Sequence, residues 1–212
     1  MNLRITFLSL VAVCLVSVPA FADVVYDNGP INGTTDAWTI NFRFVVSDTF
    51  TVGSGGASIT GLQFGAWFFP GDIPTQAEVS ITSDEFGGTT YFDQSFNELD
   101  ITQSDCVMNQ YGYNVCVVGV SFSPVHLDAG TYWLNLLNTN GGLNDPVYWD
   151  ENSGPSQASE NSVGTIPSEA FTLLGTNGTT TTTGGTVPEP STIMLFGSGV
   201  LGLAGILLRK LF

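Results

Sequence analysis

Basic residues are nearly absent from this sequence. Four lysines and arginines occur in 212 residues, and three of them (Arg4, Arg209 and Lys210) lie close to the two ends. Only Arg43 remains in residues 23–186, against 18 acidic residues. A domain of this charge has no basic patch to neutralise phosphates, which excludes nucleic-acid binding and disfavours binding to an anionic lipid surface. The strong self-repulsion suits a soluble extracellular domain.

Histidine and the motifs of known catalytic sites are equally scarce. His126 is the single histidine, and for a turn-like SPVHLDAG segment a solvent-exposed side chain is a simpler interpretation than a catalytic base. The sequence has no G-x-S-x-G elbow, no HExxH motif, no P-loop and no complete GxGxxG motif. It therefore predicts a protein that is not an enzyme. Two acidic pairs leave glycoside hydrolysis as a lesser alternative: Asp84 with Glu85, and Asp150 with Glu151.

The N-terminus has the organisation of a secretory signal peptide. Arg4 precedes the apolar run Ile5–Val18, and Ala20 and Ala22 are the small residues that signal peptidase accepts at −3 and −1. The prediction is cleavage after Ala22, so that residues 1–22 are removed. The alternative, a retained membrane helix, is disfavoured because the run is short for a bilayer.

Cysteine is also rare, and its placement predicts one disulfide. Cys14 lies in the predicted signal peptide, which leaves Cys106 and Cys116 as a pair in an exported protein. They flank the segment VMNQYGYNV. A hairpin folded about its centre, with Gly112 in the left-handed conformation, places the two cysteines directly opposite each other within disulfide range. A redox or metal site is the alternative, but the sequence has no CxxC motif.

The middle of the chain predicts an all-β domain over residues 23–175. Trp38, Ile40, Phe42, Phe44 and Val46 alternate with more polar residues, and similar short stretches recur between Gly-, Pro- and Asp-rich turns. No segment shows a helical apolar stripe. We therefore expect an antiparallel two-sheet β-sandwich, with a jelly-roll-like topology as the first choice and a fibronectin- or immunoglobulin-like one as the second.

Two weaker patterns within this domain indicate ligand sites. Residues 138–155 are rich in Asn and Asp oxygens, as a calcium site requires, although the spacing is not that of DxDxDG and a solvated loop with Asx-turns is the alternative. The calcium candidates are Asn144, Asp145, Asp150 and Glu151. Aromatic residues beside polar ones are typical of a sugar-binding face, with core packing as the alternative. The candidates for sugar binding are Trp67, Tyr148 and Trp149.

The sequence of the C-terminal region predicts a linker followed by a membrane anchor. Residues 176–186 are Thr- and Gly-rich, which predicts a flexible linker. A transmembrane helix is expected at about 192–208. Its uncharged part, Ile193–Leu208, would span about 24 Å against a hydrocarbon core of roughly 30 Å. Arg209 and Lys210 follow directly and would keep the C-terminus cytoplasmic, with the domain outside the cell membrane. A buried core helix is the disfavoured alternative.

The segment before this helix carries the most specific signal in the chain. Its residues are Val187, Pro188, Glu189, Pro190 and Ser191. Together with the helix and the two basic residues, this segment resembles the PEP-CTERM sorting signal of exported proteins in Gram-negative bacteria that make exopolysaccharide. The resemblance covers residues 187–212. It implies processing by an exosortase, with Glu189 and its flanking prolines as the recognition element.

The sequence thus predicts an exported protein, anchored transiently in the inner membrane and then located at the cell surface or in the extracellular matrix. We expect a non-enzymatic structural or adhesive role linked to exopolysaccharide or biofilm. A carbohydrate-binding module, calcium-assisted or not, is the alternative, and a glycoside hydrolase is less favoured. The partners implied are signal peptidase, an exosortase-type enzyme, the inner membrane and a polysaccharide, with no nucleic acid and no cofactor other than calcium.

Overall fold

The computed structural model describes residues 22–178, and all its regular structure is β-strand. The predicted signal peptide up to residue 21, most of the linker, the sorting motif and the membrane helix lie outside the described residues. Within those residues no helix has the length and hydrophobicity needed to cross a membrane. Fourteen strands are numbered in chain order: β1 (Asp23–Asp27), β2 (Ala37–Thr39), β3 (Val45–Val52), β4 (Ala57–Phe68), β5 (Pro74–Asp84), β6 (Gly87–Asn97), β7 (Ile101–Met108), β8 (Asn114–Leu127), β9 (Gly130–Gly141), β10 (Tyr148–Asn152), β11 (Ala158–Glu160), β12 (Gly164–Ile166), β13 (Ser168–Glu169) and β14 (Phe171–Asn177).

The strands form two sheets in which every pairing is antiparallel, which confirms the all-β, two-sheet prediction. Sheet I is centred on β4, with β14 and then β1 on one side and β8 and then β7 on the other. β14 begins opposite Phe64, and beyond that point β10 pairs with the last residues of β4 and also with β2 and β13. Sheet II has the order β12-β11-β3-β9-β5-β6.

The hydrophobic core lies between the two sheets. Alternate residues of each strand point inwards, so that Phe50 of β3 and Leu134 of β9 face Phe64 of β4 and Phe171 of β14. Each such side chain is fully or almost fully buried, and each burial contributes about 1.5–3 kcal/mol. The core thereby fixes which residues of sheet I face outwards, and the outer residues at one end of that sheet form the site described next.

Two boundaries differ from the sequence prediction. The alternation from Trp38 to Val46 predicts one continuous strand, but Phe42 and Arg43 adopt positive φ angles of 53° and 76° and form a turn between β2 and β3. The predicted linker start at residue 176 is also wrong, because Thr176 and Asn177 still pair with β4.

Candidate functional site

The cysteine hairpin forms one side of the candidate site, and its predicted disulfide is confirmed. Cys106 and Cys116 are bonded, with their Cα atoms 4.1 Å apart. Beyond the disulfide the strands β7 and β8 keep the predicted register, with Val107 opposite Val115. A bulge at Asp105, where φ is 52°, separates this tip from the rest of the ladder. The tip is therefore a short unit closed by its own covalent bond.

The turn of this hairpin presents two tyrosines. The side-chain oxygen of Asn109 accepts hydrogen bonds from the backbone N–H groups of both Tyr111 and Tyr113, each at 3.0 Å. Gly112 lies between them with a φ of 85°, the left-handed conformation that the sequence predicts. The Tyr111 hydroxyl donates to the Thr35 carbonyl at 3.4 Å, which ties the tip to the loop before β2.

Trp67 lies at the end of β4 and forms the floor beneath these tyrosines. Only 4% of its surface is exposed, and its ring stacks on Tyr111 with centroids 5.7 Å apart and an interplanar angle of 22°. Tyr113 also contacts the Trp67 ring at 5.7 Å and meets Tyr148 edge-on at 5.5 Å. Tyr148 is the direct partner of Trp67 across the β10–β4 pairing.

These rings line a single open cleft, which we call the aromatic cleft. Its volume is about 380 Å³, and its walls also include Thr35, Asp36 and Ala37. The complete lining is Thr35, Asp36, Ala37, Trp67, Tyr111, Tyr113 and Tyr148. Tyr111 is 53% exposed and Asp36 lies on the surface, so both apolar ring faces and polar groups are accessible. This combination is typical of a small-ligand site.

Asp150 holds the base of the cleft together. Its Oδ1 accepts the indole N–H of Trp67 at 2.7 Å and the backbone N–H of Gly33 at 3.0 Å, while Oδ2 accepts the N–H of Asn32 at 2.8 Å. Burial raises the pKa of Asp150, and the three N–H donors oppose that rise. At Gly65 a Cβ would lie 2.8 Å from the Cβ of Asp150, so the absence of a side chain there leaves room for this carboxylate.

The hydroxyl of Tyr148 stays protonated over the whole physiological range. Burial, followed by the neighbouring hydroxyl of Tyr113 and the charge of Asp145, raises the pKa of Tyr148 to about 12. Tyr148 thus presents a neutral ring and an O–H group, both suited to contact an uncharged polar ligand.

The structure separates the three aromatic residues that the sequence selects for sugar binding. Trp67 and Tyr148 line the aromatic cleft, but Trp149 has no exposed surface and its indole N–H donates to the Ala170 carbonyl at 2.9 Å. The assignment of Trp149 to a sugar-binding surface is therefore wrong, because neighbouring residues of a strand face opposite sides of the sheet. Tyr111 and Tyr113 were not among the candidates, although they supply two walls.

The four calcium candidates do not form a common ligand set. Asp150 is occupied by three N–H donors, and one carboxylate oxygen of Glu151 accepts the indole N–H of Trp38 at 3.0 Å. Asn144 lies on the surface in a loop, and the backbone carbonyl of Asp145 accepts the side-chain amide of Asn41. In the part of the chain that the structure describes, no three His, Cys, Asp or Glu side chains are grouped as metal ligands.

The C-terminal region, unlike the sandwich, matches a known family. Residues 186–210 match the family model of the PEP-CTERM protein-sorting motif. The chain carries a PEP-CTERM sorting motif. This match confirms the resemblance seen in the residues around Glu189, and it ends before the last two residues. The PEP-CTERM motif indicates an exported protein that is processed by an exosortase-type enzyme, first anchored in the membrane and then located at the surface.

The PEP-CTERM match leaves the β-sandwich without a family, since all matched residues lie C-terminal to β14. No curated protein matches the chain.

Proposed function

We propose that this exosortase-sorted, exported protein is a non-enzymatic adhesive module that binds polysaccharide through its aromatic cleft. The observation that carries the proposal is the convergence of Trp67, Tyr111, Tyr113 and Tyr148 beside Asp36 in one open cleft. The sorting motif adds the location, because a protein displayed outside the cell meets extracellular polysaccharide. The adhesive role and the carbohydrate-binding alternative then become one function.

The chemistry of the cleft suits a sugar ring. A pyranose presents C–H groups on its faces and hydroxyls at its edge, so it can pack on an aromatic ring while its hydroxyls bond to polar neighbours. Here the tyrosine rings offer faces, and their hydroxyls, the Asp36 carboxylate and the Thr35 backbone offer donors and acceptors. With 18 acidic residues and one Arg in residues 23–186, we expect a neutral or cationic glycan, because an anionic one would be repelled.

A non-catalytic role is supported by the way the acidic pairs are used. Asp150 and Glu151 both accept indole N–H groups, from Trp67 and Trp38 respectively. In the other pair, Glu85 accepts the hydroxyl of Ser159. Neither Asp84 nor Glu85 lines the aromatic cleft, so the cleft gives no support to the hypothesis of a glycosidase.

We further infer a jelly-roll-like topology for the scaffold. The chain crosses between the sheets at β2–β3, β3–β4, β4–β5, β6–β7, β8–β9, β9–β10, β10–β11 and β12–β13. Sheet I contains the order β1-β14-β4-β8, and sheet II contains β3-β9-β5-β6. Two four-stranded antiparallel orders joined by repeated crossovers support this topology over an immunoglobulin-like one. Loops and strand ends at one end of such a sandwich are a common place for a ligand site.

The test of the proposed function is glycan binding by the exported protein, screened on an array and measured by calorimetry. Replacing one ring, as in Tyr148→Ala or Tyr111→Ala, should weaken binding by about tenfold, equivalent to about 1.4 kcal/mol. Tyr91→Ala is the matched control, because Tyr91 is 43% exposed on β6 and lies outside the cleft. The proposal fails if no neutral or cationic glycan binds, or if all three variants bind like the wild type.

A further inference from the structure

A second group of acidic residues lies between the two sheets, away from the cleft surface. Asp48 shares the inward face of β3 with the core residue Phe50. Glu151 shares the face of β10 that carries the buried Trp149, and Glu169 pairs directly with Glu151. Asp48 and Glu169 have no exposed surface. Two carboxylates, one from each sheet, therefore point into the interior.

These two residues are in contact. The backbone N–H of Glu169 donates to Oδ2 of Asp48 at 2.7 Å, which joins β13 of sheet I to β3 of sheet II. We call Asp48 and Glu169 the inter-sheet acidic site. Three of its four carboxylate oxygens, namely Oδ1 of Asp48 and both oxygens of Glu169, are buried without a hydrogen-bond partner among the described residues. Buried oxygens without partners are rare, and each needs an explanation.

The polar groups around the site bond to one another and leave those three oxygens without a partner. The side-chain nitrogen of Asn28 lies within hydrogen-bond distance of Asp48 Oδ2 at 3.1 Å, Ser156 Oγ at 2.6 Å, Ser168 Oγ at 2.9 Å and the Glu169 carbonyl at 2.7 Å. The two serine hydroxyls also bond to each other at 2.8 Å, and Ser168 donates to the side-chain oxygen of Asn152 at 3.0 Å. No donor of this network reaches Oδ1 of Asp48 or the carboxylate of Glu169.

The folded domain offers no positive side chain to balance these charges. Arg43 is the one Arg or Lys among the described residues, and it lies exposed on the turn before β3. Burying an unpaired carboxylate costs several kcal/mol, so a counter-ion or a proton must be present. Burial, together with Asp48 and other nearby carboxylates, raises the pKa of Glu169 well above its usual value, and burial raises the pKa of Asp48 to about 6.

We propose that Asp48 and Glu169 bind a divalent cation of the calcium class between the two sheets. Calcium takes six to eight oxygen ligands, including carboxylate, hydroxyl and backbone carbonyl oxygens, and extracellular modules bind it with a Kd of roughly 10⁻⁴–10⁻³ M. Two carboxylates neutralise one divalent ion. Water would supply the remaining ligands, because the Ser156 and Ser168 hydroxyls are bonded to the side-chain nitrogen of Asn28. This site is distinct from the loop residues that the sequence selects.

The consequence of binding would be a tie between the sheets. Sheet I contributes Glu169 and sheet II contributes Asp48, so a bound ion would link them through ligand bonds in addition to the core. An ion that binds the folded state stabilises it by mass action, and at about 100 times the Kd the melting temperature of a domain of this size rises by roughly 5–10 °C.

The test uses the exported protein purified in detergent, with CaCl₂ or the chelator EGTA at pH 7.5. Thermal unfolding should shift upwards in 10 mM calcium, and calorimetric titration should give one ion per chain. Glu169→Gln and Asp48→Asn should each abolish the shift, while in chelator both should melt at or above the wild-type temperature because a buried charge is gone. Glu98→Gln, on the exposed loop after β6, is the matched control and should respond like the wild type.

The proposal is overturned if calcium changes neither the wild-type melting temperature nor the titration heat. It is also overturned if Glu169→Gln and Asp48→Asn respond to calcium like the wild type. A calcium-independent protein would mean that the two carboxyls share a proton. If one variant fails to fold, the other variant and the wild-type titration still test whether the site binds calcium. Glycan binding is measured in parallel, so that a failure of the aromatic cleft is distinguished from a failure of the inter-sheet acidic site.

Discussion

At the residue scale, the hydrogen bonds accepted by one carboxylate, that of Asp150, position the ring that forms the floor of the aromatic cleft. Asp150 accepts the indole N–H of Trp67 and the backbone N–H groups of Asn32 and Gly33. It thereby fixes the floor of the aromatic cleft and the loop beside it at once. Hydrogen bonds to a charged group contribute about 1.5–3 kcal/mol each, so Asp150 is a structural residue of the site and not a free acid.

The pH dependence of stability is a prediction about a single residue, Asp48. Its pKa is about 6 in the folded protein against 3.8 for an ordinary Asp, so the protonated form favours folding. In chelator, this contribution of about 3 kcal/mol should be complete below about pH 4 and be lost as the pH rises through about 6. The measurement is the free energy of unfolding from pH 4 to pH 8.

The control for this pH prediction is Asp48→Asn, whose profile should be flatter than that of the wild type by the same amount. Parallel profiles for the two proteins would contradict it. Glu169 contributes in the same direction, since its pKa is also raised, and the comparison with Asp48→Asn removes the general repulsion of the acidic surface. Burial raises the pKa of both carboxyls. Hydrogen bonds from Ser156, from the backbone of Glu169 and Thr49 and from Asn28 oppose that rise for Asp48, whereas Asp48, Glu151, Asp150 and Asp36 raise the pKa of Glu169 further.

Single residues also show what the sequence could and could not reveal about the site. Alternation in β10 allows either Tyr148 or Trp149 to face outwards, but not both, so the sequence could have excluded one of them. It could not show which one, because that depends on the pairing of β10 with Trp67. The inter-sheet acidic site could not be predicted from the sequence for a similar reason, because Asp48 and Glu169 are 121 residues apart.

At the scale of elements, the cysteine hairpin was the best-predicted feature. Its register depends on a local turn and a covalent bond, and both can be predicted from the segment 106–116 alone. The prediction of one strand from Trp38 to Val46 was wrong because the alternation of apolar and polar residues continues across a turn. Phe42 and Phe44 stand at positions of the pattern expected to face inwards, but their side chains are 48% and 37% exposed. The grouping of Tyr111 with Trp67 needs the β4–β8 pairing, which no local pattern specifies.

The disulfide should support the cleft as well as the fold. Replacing both Cys106 and Cys116 by alanine should lower the free energy of unfolding by about 2–3 kcal/mol, because the closed loop is short. It should also weaken glycan binding, since Tyr111 and Tyr113 lie on the hairpin tip. Chemical denaturation and calorimetry measure the two effects, with reduced wild type as the comparison. Unchanged binding in a folded double variant would show that the tip is held by its hydrogen bonds alone.

At the scale of the whole molecule, the folded β-sandwich and the sorting motif occupy separate parts of the chain. The described strands end at Asn177, and the PEP-CTERM match begins at residue 186. Processing can therefore be changed without touching the sandwich. Glu189→Ala should leave the tail uncleaved and the protein in the membrane fraction, as judged by fractionation and intact mass. Glu98→Ala is the control and should be processed normally, and normal processing of Glu189→Ala would refute the sorting role of this residue.

The pairing of β14 with β4 has a mechanical consequence. The chain leaves the sandwich beside Ala57, whereas the aromatic cleft lies at Trp67, roughly 33 Å further along the same strand. A load applied between a captured glycan and the C-terminal end of the domain would act along the strand axes. The hydrogen bonds that hold β14 between β1 and β4 would then bear the force together in shear, instead of opening one after another.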